Sequence, residues 1–293
     1  MIRVADEVAG ALAGGGAVVA LETTLVAHGF PAGEGVAVAA ESERAVRAAG
    51  AVPATVGVLD GELRIGLSPA ELERFDESAR KAGPAELAAC VARRTVGATT
   101  VGGTLAACRV AGIRVLATGG IGGVHRGFAT RPDVSADLAA LARSPAVVVC
   151  SGVKSLLDVE ATVEALETLG VPLAGWRTDE LPRFYARGGG PPLATRVDSA
   201  DEAARLAEAH WGVGGAGLVI ARPPDDEVDV DPLVDEAVAA AEAEGIAGGA
   251  ITPFVLARLH MRSGGATLRA NRGLVVGNAA LAAELAVALA TRR

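Results

Sequence analysis

The stretch AVVVCSG (146–152), followed at once by VKSLLDVEATVEALETLG (153–170) and VPLAGW (171–176), decides the fold. The first piece is continuously apolar and closes on Ser-Gly, the pattern of a strand buried on both faces. From Lys154 to Gly170 the apolar residues recur at helical spacing, which predicts a helix stopped by that glycine. The third piece is again a short apolar strand. A strand, a helix and a strand in such close succession form the unit of a parallel sheet.

The same alternation extends in both directions. Towards the N-terminus, residues 3–14 read as a helix, AVVAL (17–21) as a buried strand, ETTLVAHGFPAGEG (22–35) as a polar, glycine-bearing loop, and 34–49 as a helix. VPATVGVLDG (52–61) and ELRIGL (62–67) read as a hairpin around Asp-Gly, and SPAELERF (68–75) opens on a capping box, Ser68 with Glu71. Helices are expected over 84–93, 99–112 and 133–144, with the strand IRVLATGG (113–120) between the last two. Beyond the opening stretch come a helix at 198–214, a strand at 216–224, and helices near 230–245 and 251–263. The last segment, 268–290, reads as a turn or short strand running into a helix. RGGGPP (187–192) has loop length, so the chain is expected to form one domain over 1–293, a three-layer α/β/α sandwich with a mixed, mostly parallel sheet.

Composition narrows the function. Hydrophobic residues make up 51% and aromatic residues only 3%, so the core must be Ala, Val and Leu, and helices can approach closely. The formal charge of -8, without a long basic block, argues against nucleic acid as a partner. Three cysteines without a CxxC give neither a disulfide framework nor a thiolate metal site. MIRVADEVAG (1–10) has no apolar core of a signal peptide, and charged residues interrupt the Ala-rich stretches, so a cytoplasmic protein without membrane contact is expected.

In open α/β sheets ligands bind beyond the carboxyl ends of the strands, so polar residues placed there carry the most weight. Lys154 falls just past AVVVCSG, at the expected helix start, where helix amides would lower its pKa; it reads as a Schiff-base nucleophile, a phosphate anchor, or a surface lysine. Glu22 ends a buried strand and reads either as a general acid with a raised pKa or as a cap on loop amides. ATGGIGGVHRG (117–127) offers backbone amides that can cradle a phosphate, with His125 or Arg126 in support, or it is only a tight turn. Asp133, Ser135 and Asp137 either supply oxygen ligands to Mg or Mn or cap a helix. Asn278 caps a helix or reads a base or sugar, and His210 reads as structural.

These residues sit in longer segments: LETTLVAHGFP (21–31), VPATVGVLDGELRIGL (52–67), ATTVGGTLAACRVAGIRVLATGGIGGVHRG (98–127), DVSADLAAL (133–141), VVVCSGVKSLLD (147–158), ITPFVLARL (251–259) and LRANRGLVVGNAALAAELA (268–286). Together they resemble the pseudouridine-5'-phosphate glycosidase family, also called the indigoidine synthase A-like family, over nearly the whole chain. The HRG, DxSADL and SGxKSxLD elements are specific to it. The resemblance implies reversible cleavage of the C–C glycosidic bond of pseudouridine 5'-phosphate to uracil and ribose 5-phosphate, in a homotrimer that uses a divalent metal, typically Mn2+. Carried over residue by residue, it implies Lys154 as the catalytic amine and Glu22 as proton donor, and the chemistry so implied leaves Glu22 and Asp137 as the two acids available for its proton traffic. It also implies Asp133 as the metal carboxylate, and Lys81, Val101, His125, Ser135, Ala136, Asp137 and Asn278 as substrate contacts. The chain departs from the family pattern at KAGPAELA (81–88), where the lysine is kept and two arginines and an aspartate are not, and at Gly277, where an asparagine is usual. The alternatives are a glycosidase or synthase for another 5'-phosphorylated C-nucleoside, a Schiff-base phosphosugar lyase or aldolase, and a non-catalytic metabolite-binding protein.

Overall fold

The structure is a computed structural model and describes residues 2–246 and 251–292. The chain opens with β1 (Ile2–Val4), α1 (Asp6–Ala13), β2 (Val18–Glu22), α2 (Thr24–His28) and α3 (Glu34–Ala48). The hairpin β3 (Val52–Leu59) and β4 (Glu62–Ile65) is followed by α4 (Pro69–Leu72), β5 (Arg80–Ala82), α5 (Leu87–Arg93), β6 (Gly97–Thr99) and α6 (Val101–Ala111). Then come β7 (Val115–Ala117), β8 (Val124–His125), α7 (Ala136–Leu141), β9 (Val147–Cys150), β10 (Leu157–Asp158) and α8 (Val159–Thr168). The last part holds β11 (Leu173–Trp176), β12 (Thr195–Val197), α9 (Ala200–Gly212), β13 (Leu218–Ala221), α10 (Asp231–Ala243), α11 (Ile251–Arg262) and α12 (Ala266–Ala290).

Among the described residues one sheet runs β1-β4-β3-β2-β7-β9-β13-β11-β12, with β6 and then β5 added beside β3. It is mixed and mostly parallel: β3 pairs antiparallel with β4 and with β6, and its other pairings are parallel. The period of two along each strand makes the layers. Val19, Leu21, Val115, Ala117, Val147, Val149, Leu218 and Ile220 face a core shared with Val46 of α3, Ala203 and Ala207 of α9, and α12. Ala20, Leu116, Val148, Cys150, Val219 and Ala221 face the opposite core, with Leu105 and Cys108 of α6, Leu138 and Leu141 of α7 and Leu166 of α8. The result is the expected three-layer α/β/α sandwich.

Several boundaries differ from the sequence expectation, each for a physical reason. Residues 2–4 form β1 rather than the first turn of a helix, because they pair with Leu63–Ile65 on the open side of β4. The loop 22–35 contains α2, whose Val26 and Ala27 are buried. The helix predicted from residue 154 starts only at Val159, where Asp158 accepts the Ala161 N–H at 3.0 Å as its cap; residues 157 and 158 pair instead with β8. The expected turn near 268 is absent, and α12 is one continuous helix of 25 residues. By length and composition α12 could cross a membrane, but it lies in the fold with 56% of its apolar window buried.

Helix α6 comes close to β5. A Cβ added at Gly103 would lie 2.2 Å from the Ala82 carbonyl oxygen, so only glycine allows this approach, and it fixes β5, which carries Lys81. Gly103→Ala should therefore lower stability by about 1–3 kcal/mol, read as a shift of the urea midpoint, and should weaken ligand binding in the cavity that β5 lines. An unchanged midpoint would show that the contact relaxes at no cost.

Candidate active site

β2, β7 and β9 are parallel neighbours, so their C-terminal ends fall on one edge of the sheet. Glu22 is the last residue of β2, Thr118 follows β7, and Ser151 follows β9. The end of β2 is bolted in place: the Thr23 hydroxyl donates to the Val56 carbonyl at 2.7 Å and accepts the Thr99 N–H at 2.9 Å. Beyond this edge lies a cavity of about 440 Å³ lined by Lys81, His125, Asp133, Ser135, Ala136, Asp137 and Lys154, together with Thr24, Arg80, Gly83, Glu86, Thr100, Gly122 and Leu157.

The charges there act on one another. Glu22 is 4% exposed, and burial raises its pKa from 4.5 to about 7. Lys154 opposes that rise most among the neighbours, then the Thr118 hydroxyl, which donates to Glu22 Oε1; Asp137 adds to it, and Lys81 counters it weakly. Glu22 therefore lies within reach of the fields of both lysines and Asp137. Burial pushes the Lys81 ammonium below its usual pKa, and Lys154 pushes the same way, against Asp137, Glu22 and Asp133. His125 is held below its usual value by burial, against the pull of Asp133, whose Oδ2 lies 4.0 Å from Nε2.

Asp137 is buried, and its two oxygens are both taken: Oδ1 accepts the Gly102 N–H at 2.8 Å and Oδ2 the Gly122 N–H at 3.0 Å. The Ser135 hydroxyl caps α7 by accepting the Asp137 N–H at 3.2 Å. The carboxylate thus joins the starts of α6 and α7 to the glycine turn after β7. Of the two readings of 117–127, phosphate cradle or tight turn, this bears on the first, because three of its amides are engaged within the protein. Its Gly122 N–H goes to Asp137, its Ile121 N–H to the Gly152 carbonyl, and its Val124 N–H to the Thr162 hydroxyl. The glycines are there for closeness: a Cβ at Gly122 would meet Ser135 Oγ at 2.3 Å, and one at Gly123 would meet Thr162 Oγ1 at 2.3 Å. Arg126 does not support these amides either; its guanidinium turns to the 155–157 loop and to Asp235.

Lys154 lines the cavity, but from a loop rather than the expected helix start. Its N–H donates to the Ile121 carbonyl at 3.2 Å and its carbonyl accepts the Leu157 N–H at 2.9 Å. Val101 is fully buried at the first turn of α6 and is not among the lining side chains. Asn278 also stands apart from the lining: its Nδ2 donates to the Thr118 carbonyl at 2.8 Å and to Ser151 Oγ at 3.1 Å, fastening α12 to the β7 and β9 turns. Of the divergent stretch 81–88, Lys81, Gly83 and Glu86 reach the cavity wall. Arg80, Glu86 and Thr100 were not singled out from sequence, and Thr118 carried a signal only in standing directly after a strand, as Glu22 and Ser151 do.

An amine and a buried acid that share one cavity at the carboxyl edge of a parallel sheet define an enzyme of the α/β/α class equipped for carbonyl or glycosyl chemistry. The profile of the family described as "Indigoidine synthase A like protein" matches residues 7–288. The pseudouridine-5'-phosphate glycosidase of Myxococcus xanthus is 45% identical over 99% of this chain and 98% of its own length. That of Streptomyces griseus is 47% identical over 98% and 92%. Among solved structures, the prealnumycin C-glycosynthase AlnA in complex with ribulose 5-phosphate is 40% identical, with a TM-score of 0.89 and coverage of 100% of this chain and 98% of that one. An indigoidine synthase A-like protein from Thermotoga maritima is 37% identical, also with a TM-score of 0.89, over 99% and 97%. The chain belongs to the pseudouridine-5'-phosphate glycosidase, or indigoidine synthase A-like, family.

Glu22 makes stability depend on pH. Its folded pKa is raised from 4.5 to about 7, so between these values the native state binds the proton more tightly than the unfolded chain. Stability from this group is fully present below about 4.5 and is lost as pH rises through about 7, by an amount on the order of 3 kcal/mol. Glu22→Gln should flatten that decline when urea unfolding is compared at pH 5 and pH 8. A variant with the wild-type slope would show that Glu22 is not the buried titrating group.

Proposed function

We propose that the protein cleaves the C–C glycosidic bond of pseudouridine 5'-phosphate reversibly, giving uracil and ribose 5-phosphate. The observation that carries this reading is that Lys154, Lys81 and Asp137 line one cavity and that their charges act on Glu22, which is buried at the end of β2 outside the cavity lining with its pKa raised to about 7. A C-glycoside has no anomeric heteroatom on the base to protonate, so the bond must be broken by making C1' an electron sink or source through an amine.

In the forward direction Lys154 Nζ attacks C1' as the C1'–O4' bond breaks, and Glu22 delivers its proton to O4'. The Glu22 carboxylate takes a proton from the resulting ammonium, the nitrogen lone pair forms the C=N bond as the C1'–C5 pair leaves with the base, and Glu22 returns that proton to C5. Water adds to the resulting imine and releases ribose 5-phosphate and the free amine. Glu22, half-protonated near neutrality, can give a proton in one step and take it back in another. Asp137, fixed by two backbone N–H groups, keeps the α6 and α7 starts facing the sugar. Lys81, Ser135, Ala136 and the His125 ring, which line the cavity, form the phosphate side, with Val101 at the α6 start behind them. Asn278 acts behind this surface, by holding the Thr118 and Ser151 turns.

The expected Mn2+ fits the donor set in one way. Asp133 presents a carboxylate on the cavity wall, one third exposed, with His125 beside it. Among the described residues no group of three His, Cys, Asp or Glu side chains is arranged to hold a metal. A cation here would bind through Asp133 and largely through water, as hard divalent ions do, and when bound would supply positive charge next to the sugar phosphate. A homotrimer working in the cytoplasm, where phosphorylated nucleosides are retained, completes the proposal.

The 40% identity to a C-glycosynthase favours a second reading, synthesis on another aglycone. One assay separates them: uracil release from pseudouridine 5'-phosphate, and its reversal with uracil or other ring systems and ribose 5-phosphate. Uracil turnover is the expected result, and none with uracil but product with another ring would favour the second. Lys154→Ala should lose turnover by roughly 10³-fold or more while still binding ribose 5-phosphate. Borohydride should trap that sugar on Lys154 in the parent protein, located by peptide mass; turnover retained without Lys154 would exclude the amine mechanism.

A further inference from the structure

The Lys154 loop is held from two sides. On the sheet side, the Lys154 N–H and the Gly152 carbonyl are tied to Ile121. On the far side, β10 pairs with β8, and Arg126 reaches across from the end of that pairing. Its Nη2 donates to the Ser155 carbonyl at 3.1 Å and its Nε to the Leu157 carbonyl at 3.4 Å. The third nitrogen, Nη1, donates to Asp235 Oδ1 of α10 at 2.6 Å. The guanidinium is thereby committed to protein partners, and it is not among the groups lining the large cavity. One planar fork spans the residue after Lys154 and the residue that ends the loop, Ser155 and Leu157, both of them buried. Because the loop lacks the internal ladder of a helix, these bonds take over its work of fixing the backbone that aims the lysine.

We propose that Arg126 is a positioning residue for the reaction: its guanidinium fixes the 154–157 loop so that the Lys154 amine meets the sugar carbonyl carbon in a reactive orientation. The inference rests on the reading of Lys154 as the imine-forming amine. It predicts a loss in the rate of imine formation with little loss in ligand affinity, because Arg126 does not touch the cavity. A shift of about 1 Å in a reacting group costs up to about 10²-fold in rate.

The test measures the rate of borohydride trapping of ribose 5-phosphate on Lys154, with sugar affinity measured separately by calorimetry on the full chain. Arg126→Gln should trap about 10- to 100-fold more slowly with affinity changed by less than about twofold. Arg126→Lys, which reaches one carbonyl but cannot fork, should fall between that variant and the parent. Asp235→Asn should keep the parent rate, since that ion pair is exposed on the carboxylate side at 72%. If Arg126→Gln does not fold, Arg126→Lys decides alone: slower trapping at unchanged affinity supports the proposal, and the parent rate overturns it. A parent trapping rate in Arg126→Gln, or an affinity lost in proportion to rate, overturns the inference while leaving the amine reading intact. No adduct in the parent protein overturns the amine reading and this inference with it.

Discussion

The site depends on one carboxylate that bonds to backbone on both sides. Asp137 accepts the Gly102 N–H with one oxygen and the Gly122 N–H with the other, so a single side chain fixes the spacing of α6, α7 and the turn after β7. Charged hydrogen bonds to backbone amides are among the stronger ones in a protein interior, and they have a fixed direction. Lys81 is set by the approach of β5 to α6, and Lys154 hangs by its own N–H from Ile121, one residue before Gly122. Both lysines are therefore referenced to the elements that Asp137 joins, and the cavity between them has a defined width.

Small residues are what make this frame compact. Gly102, Gly103, Gly122 and Gly123 each stand where a Cβ would meet a neighbour at 3.1 Å or less. With aromatics at 3% of the chain, few bulky side chains stand between the helices and the sheet. The same economy lets α12 run unbroken behind the sheet, where Ala279, Ala282, Ala283 and Ala286 are buried, and it brings Asn278 against the Thr118 and Ser151 turns.

What the sequence revealed follows from which interactions are local. The buried strands β2, β7, β9 and β13 were legible because continuous apolar runs ending in small or polar residues have few other uses, and the hairpin and the Ser68 capping box because their chemistry lies within four residues. The loop from 154 to 158 was misread as helix because its apolar spacing continues smoothly into α8; the bonds that keep it out of the helix come from Ile121, His125 and Arg126, distant in sequence. β5 and β6 escaped notice because each is three residues long and is defined only by pairing. The glycine run pointed to the right place and left its cause open, since a glycine that avoids a clash and a glycine that frees an amide look the same in sequence. Motif resemblance supplied Lys81, which no local pattern marks, whereas the sequence named Arg126 for a phosphate and only its partners show the hold on the 155–157 loop.

The charge arrangement also links binding to chemistry. Glu22 is raised and Lys81 is lowered mainly by the same cause, burial, and each is partly restored by the other's charge. An anion entering beside Lys81 adds negative charge to both environments. It draws Lys81 back towards its ammonium form and pushes Glu22 further towards its protonated form, because both shifts have the sign that Coulomb's law requires. On the proposed reading, a substrate phosphate would therefore do more than anchor the sugar. An anion held beside Lys81 would keep the proton on Glu22 at a pH where the carboxyl would otherwise be half-ionised. A neutral sugar would leave Glu22 half-ionised near pH 7, so on the proposed reading the substrate's charge sets how much of the acid carries its proton.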